Sequence, residues 1–142
     1  MRKLIIPIVA LAMLCACANN SGTSNGARAG VTAASNGKTI YLTGKDAAGF
    51  RIIATRPPLR TSCAACHRPN GAGGIHLPGG AVSADLRHKA LAAGPHPFTQ
   101  ETIERAISTG IDNDGKPLNL VMPRWKMSAR DLHDVAAYVL TL

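Results

Sequence analysis

Two cysteines three positions apart with a histidine directly after them, Cys63-Ala64-Ala65-Cys66-His67, constrain this chain more than any other feature. At that spacing both thiols can add across the two vinyl groups of one haem, and the adjacent histidine reaches the iron from the same turn. A bare C-x-x-C pair also suits a redox dithiol or half of a zinc site. No second cysteine pair follows and no βαβ pattern surrounds this one, so a zinc clasp would need two of His76, His88, His96 and His133 to complete it. One covalently held haem c per chain is the expected cofactor.

Composition agrees with that expectation. The chain has 142 residues and only five aromatic side chains, Tyr41, Phe50, Phe98, Trp125 and Tyr138. So few large side chains fill an interior poorly, and a flat apolar porphyrin would supply the missing bulk. The plainer alternative is a loosely packed, alanine-rich helical domain, which is marginal at this size.

At the N-terminus, Met1-Arg2-Lys3 and the apolar run from Leu4 to Leu14 read as the charged and hydrophobic regions of a signal peptide, too short for a permanent membrane span. The run ends in Leu14-Cys15-Ala16-Cys17, which resembles a bacterial lipobox, although Met13 and Leu14 stand where small residues would make Cys15 the acylated one. Cleavage after residue 16 removes Cys15 and leaves lipid on Cys17, on the outer side of the cytoplasmic membrane. Ala18, rather than Asp, resembles lipoproteins sorted to the outer membrane in Gram-negative bacteria. Residues 17–30 are too polar and small to bury a core and read as a flexible tether. The domains expected are therefore a cleaved signal at 1–16, a tether at 17–30 and one folded domain at 31–142.

Within that domain, a polar start followed by apolar residues at helical spacing predicts a helix from about Ser35 to Leu42, ended by Gly44. Here the chain resembles class I c-type cytochromes, whose first helix carries a glycine and an aromatic four residues apart, as Gly37 and Tyr41 are. The resemblance implies that Tyr138, on the last helix, crosses near those two residues. It also implies that a proline beyond the haem motif offers its carbonyl to the proximal imidazole; Pro78 is best placed, an ordinary turn proline being the alternative. Leu118 to Trp125 resembles the second half of the same family's haem site, in which a Met-Pro pair delivers a thioether to iron. That makes His67 and Met122 the metal ligands, with Met127 the rival for the second position and His76, His88 and His96 more distant ones. The chain departs from the simplest members in the 22 positions that separate Tyr41 from Cys63. That insert reads as a short extended segment and a rigid Pro57-Pro58 loop, with a small hairpin over one haem edge as one form open to it.

Two further stretches are plain. Thr99 to Gly110 reads as a capped helix with Ile103 and Ile107 on one face, and Ser128 opens a last helix with Leu132, Val135, Ala136 and Val139 on another. Asp112-Asn113-Asp114-Gly115 invites a calcium-loop reading, but aligning its glycine puts Gly110 and Val121 where acidic ligands belong, so it is a turn.

Sixteen Lys and Arg against eight Asp and Glu give a net charge of +8. Arg124, Lys126 and Arg130 near the expected methionine, with Arg60 and Arg68 near the cysteines, predict a basic rim that steers an acidic redox partner. Solvated surface charge and attraction to anionic lipid headgroups are the competing uses of those cations. Nucleic acid is not an expected partner, since no recognition element is present. The expected fold is mainly α, a cytochrome c-like small helical domain wrapped around a covalent haem, with a loop or short hairpin insert before the motif. The expected function is a lipid-anchored single-electron carrier with no catalytic residues, held by Cys63, Cys66, His67 and Met122. A haem sensor or small haem enzyme with an open sixth iron position is the alternative, and a haem-free metal-binding lipoprotein a third.

Overall fold

The computed structural model describes residues 30–142; the signal segment, the lipobox with Cys17 and the tether up to residue 29 lie outside the described residues. Its elements, in order, are α1 (Ala33–Thr43), β1 (Ile53–Ala54), α2 (Ala64–His67), α3 (His88–Leu91), α4 (Gln100–Ser108), β2 (Trp125–Lys126) and α5 (Ala129–Val139), with a 3-10 turn at Pro78–Gly80 between α2 and α3. This is the small, mainly helical fold expected.

Helix α1 starts two residues before the predicted Ser35. Thr32 takes the cap position, its hydroxyl accepts from the Ser35 amide, and the Ser35 hydroxyl in turn accepts from the Thr32 amide. Gly44, in the left-handed conformation, ends the helix as predicted. Helix α5 is capped by Ser128, whose hydroxyl accepts from the Asp131 amide at 3.1 Å. The two helices cross where Gly37 faces Asp134. A Cβ on Gly37 would lie 2.0 Å from the Asp134 carbonyl oxygen, so only hydrogen fits there. Beside the crossing, the side-chain amide of buried Asn36 donates to Asp131 at 2.9 Å and Asp134 at 2.8 Å, and its Oδ1 accepts from the Ala47 amide at 2.8 Å. Tyr41 and Tyr138 pack one helix turn on, rings tilted and centroids 5.4 Å apart. The Gly37, Tyr41 and Tyr138 contact implied by the family resemblance is thus present.

Around this crossing the core is built from Ile40, Tyr41, Val135, Ala136 and Val139, with Ile103 and Ile107 of α4 joining from one side. Thr99 caps α4 as expected, with Thr102 as its reciprocal partner.

The insert before the cysteines folds back on itself and then pairs far along the chain. Lys45 and Arg51 bridge across a turn closed by the Asp46 amide on the Phe50 carbonyl. Beyond it β1 pairs antiparallel with β2, Ile53 opposite Lys126 and Ala54 opposite Trp125, and the Thr55 amide donates to the Arg124 carbonyl at 2.8 Å. The insert therefore braces the segment that carries Met122, a role that its own sequence does not indicate.

Replacing Gly37 with alanine should force α1 and α5 apart and destabilise the fold by roughly 2 kcal/mol, as overpacking of a close contact does. A denaturant titration checks this, and an unchanged midpoint would contradict the crossing described.

Candidate functional site

The cysteines and histidine are brought together by one short helix. Cys63 is the residue ahead of α2, and its carbonyl accepts from the Cys66 amide at 3.1 Å and the His67 amide at 2.8 Å. Both sulphurs and the imidazole thus issue from a single turn. Burial pushes the Cys63 thiol up to about 12, against a smaller opposing effect of its backbone hydrogen bond. Burial likewise raises Cys66, with Arg60 pulling the other way. Burial thus favours the neutral thiol at both positions, whereas a redox dithiol works as a thiolate in an electropositive setting. Among the described residues no group of three or more His, Cys, Asp or Glu is placed to hold a metal ion, so the zinc clasp does not form.

His67 is oriented by a single bond. Its Nδ1 lies 2.8 Å from the Ala84 carbonyl oxygen. A carbonyl can only accept, so Nδ1 carries the proton and Nε2 of the neutral ring is left with its lone pair. Burial lowers the tendency of this imidazole to protonate, more than the Ala84 bond raises it, which keeps the ring in the form that ligates metal. The carbonyl implied for Pro78 is supplied by Ala84 instead. The loop after His67 doubles back as a narrow finger, with Gly74 donating to Ser83, Ser83 to Ile75 and Leu77 to Ala81. Pro78 starts the turn at the finger's tip, and the returning limb is the one that passes His67.

Cys63, Cys66 and His67 open onto a cavity of about 280 Å3. Its walls include Leu86, Leu91, Phe98, Ile107, Val121 and Trp125, and they are overwhelmingly apolar. Met122 lines the same cavity, whereas Met127 packs against the core and does not. His76, His88, His96 and His133 do not line it either. His96 pairs with Asp114 at 2.9 Å and His133 with Glu104 at 3.2 Å. Two thiols, an imidazole with its Nε2 lone pair unused and a thioether around an apolar space fit a haem: Cys63 and Cys66 would hold it covalently, His67 and Met122 are donors of the kind that bind its iron, and the apolar walls suit the macrocycle.

Tyr41 also borders the cavity, and its hydroxyl donates to the Arg68 carbonyl at 2.8 Å. Burial is the main cause that raises this phenol well above its usual range, so it remains a donor. The bond holds a costly backbone, because Arg68 is the one described residue other than glycine with positive φ, at φ 65 and ψ 158.

Of the expected basic rim, Arg60, Arg68, Lys126 and Arg130 are exposed. Arg124 is half-buried and turns inward onto backbone carbonyls of the methionine loop, so it does not belong to a free docking surface. The turn at Asp112–Gly115 is confirmed as a turn: the Asp112 carboxylate accepts from the amides of Asp114 and Lys116. Ala84 and the inward role of Arg124 escaped sequence reasoning. A backbone carbonyl has no side-chain signature, and an arginine's direction is not written in its neighbours.

In comparison with known proteins, the family model described as Cytochrome c matches residues 34–142. No curated protein matches the chain.

Replacing Arg68 with glycine should raise stability by about 1 kcal/mol, since glycine adopts this backbone without a Cβ penalty. A thermal or denaturant melt of the haem-loaded protein reads the change; a loss of stability would show that the backbone there is not strained.

Proposed function

Since this chain belongs to the cytochrome c family and holds a covalently attached haem c, we propose that it is a single-electron carrier with its iron between His67 and Met122 and its haem bonded to Cys63 and Cys66. The observation that carries this reading is that Met122 borders the same apolar cavity as the three residues of the cysteine motif, while Met127 and the other histidines do not. Haem supplies the one-electron couple. The chain supplies the rest. The Ala84 carbonyl fixes the His67 tautomer and ring direction and makes Nε2 a better donor. A neutral thioether favours the reduced metal and raises the potential, and apolar walls reinforce that by excluding water. With His67 and Met122 both holding the iron, a bound haem would offer small gaseous ligands no open position, which would separate a carrier from a sensor or an enzyme.

The exposed cations Arg60, Arg68, Lys126 and Arg130 support a redox partner with an acidic docking face, met in solution or at a membrane. The Leu14-Cys15-Ala16-Cys17 sequence supports export and a lipid anchor on Cys17, at the outer membrane if the cell is Gram-negative. The polar stretch up to residue 30 would then give the domain its reach.

Replacing Met122 with alanine should abolish the weak sulphur-to-iron band at the red end of the ferric spectrum and open the ferrous protein to carbon monoxide. Replacing Met127 with alanine should keep the band and cost about 2 kcal/mol of stability or less. Rapid carbon monoxide uptake by the unaltered protein would instead assign it to the sensor or enzyme class. Mass spectrometry of the mature N-terminal peptide should find a diacylglyceryl group on Cys17; an unmodified N-terminus starting elsewhere would refute the anchor.

A further inference from the structure

Arg124 sits two residues after Met122 and its guanidinium is spent on the backbone of the loop that carries that methionine. Nη1 donates to the Met122 carbonyl and, at 3.4 Å, to that of Asn119. Nη2 donates to the Leu118 carbonyl at 2.9 Å and more loosely, at 3.5 Å, to that of Gly110. Gly110 and Leu118 are the two ends of a closed turn, joined by the Leu118 amide on the Gly110 carbonyl at 2.8 Å. One planar fork therefore fastens the base of that turn to the methionine loop. Its own backbone is fixed from the other side, by the Thr55 amide and the β1–β2 pairing.

The room for this fork is made by a glycine. A Cβ on Gly110 would fall 1.7 Å from Arg124 Nε and 1.9 Å from its Cζ, so the guanidinium lies where any side chain at 110 would begin. The loop also closes one short turn of its own, in which Asn119 accepts from the Val121 amide at 2.9 Å with its side-chain oxygen and from the Met122 amide at 3.1 Å with its carbonyl. Leu120 is 67% exposed, and from residue 118 to 124 no residue belongs to a regular element. Among the described residues Arg124 is in no ion pair within 4 Å, so its charge is directed at carbonyl dipoles, which charged donors bind more strongly than neutral ones do.

We propose that Arg124 is a positioning residue for Met122: by binding the carbonyls of residues 110, 118, 119 and 122 it holds the thioether loop closed over the cavity and sets how readily that ligand lets go. This rests on the His67 and Met122 ligation proposed above. Five donors in a rigid plane can reach several carbonyls together; a lysine ammonium has three donors at one point and cannot.

The test uses the haem-loaded protein and its Arg124→Lys, Arg124→Gln and Asn36→Ala variants. Each is read by the ferric sulphur-to-iron band as pH is raised, by carbon monoxide uptake of the ferrous form and by thermal unfolding. Arg124→Lys keeps the charge, yet should lower the pH at which the band is lost by about one unit, a tenfold weakening of ligation, and Arg124→Gln should lower it at least as far. Both should admit carbon monoxide faster than the parent. Asn36→Ala, which cuts the α1–α5 bonds and none of those that Arg124 makes, should lose stability with the band midpoint unchanged. The inference is overturned if both Arg124 variants keep the parental midpoint, or if Asn36→Ala shifts it as much as they do. A parent protein with no such band overturns the ligation reading itself, an outcome distinct from a parent that shows the band and variants that leave it unmoved.

Discussion

The close crossing of α1 on α5 is the contact on which the rest of this molecule depends. It joins the two ends of the folded domain, and it needs three things at once: a glycine at 37 to let the Asp134 carbonyl approach, an asparagine at 36 to satisfy two carboxylates, and a tilted pair of tyrosines to fill the next turn. Asp134 is only 2% exposed, and a buried carboxylate without partners would be costly. Asn36 and the nearby Arg130, 4.0 Å away, answer that need. Once the ends are joined, everything between them must loop out and return. The intervening chain adds Ile52, Leu91, Ile103, Ile107 and Trp125 to the core and also encloses an apolar space.

The loops of the intervening chain are braced by backbone hydrogen bonds. The finger after His67, the closed turn at 110–118 and the pairing of Ile53–Ala54 with Trp125–Lys126 are ladders of amide and carbonyl. A chain with five aromatic residues has little else with which to stiffen long loops. The cavity lies between these ladders; the finger's returning limb meets the His67 ring at its edge, and Arg124 binds the backbone of the loop that brings Met122 to it. Haem contributes bulk as well as chemistry, since the apolar walls around the cavity would otherwise face water or one another.

The strain at Arg68 belongs to the same economy of space. The chain must leave α2 at once to begin the finger, and it does so at an ordinary residue in a glycine-like conformation, held there by the Tyr41 hydroxyl. Tyr41 therefore serves the helix crossing with its ring and the haem motif with its hydroxyl. That double use couples the joining of the chain ends to the geometry of the turn that carries the imidazole.

Local chemistry in the sequence determined the spacing of the cysteine motif, the helix caps at Thr99 and Ser128 and the stop at Gly44, because spacing and cap donors act within a few residues of themselves, whereas the preference for Met122 over Met127 came from family resemblance. Family resemblance anticipated the meeting of Gly37, Tyr41 and Tyr138. Tertiary structure alone decided that Ala84, and not Pro78, orients His67, that the insert braces the methionine segment, and that Arg124 points inward. Each of these is a backbone pairing or a side-chain direction set between segments far apart in the chain. A carbonyl that any residue could supply leaves no trace in the residue that supplies it.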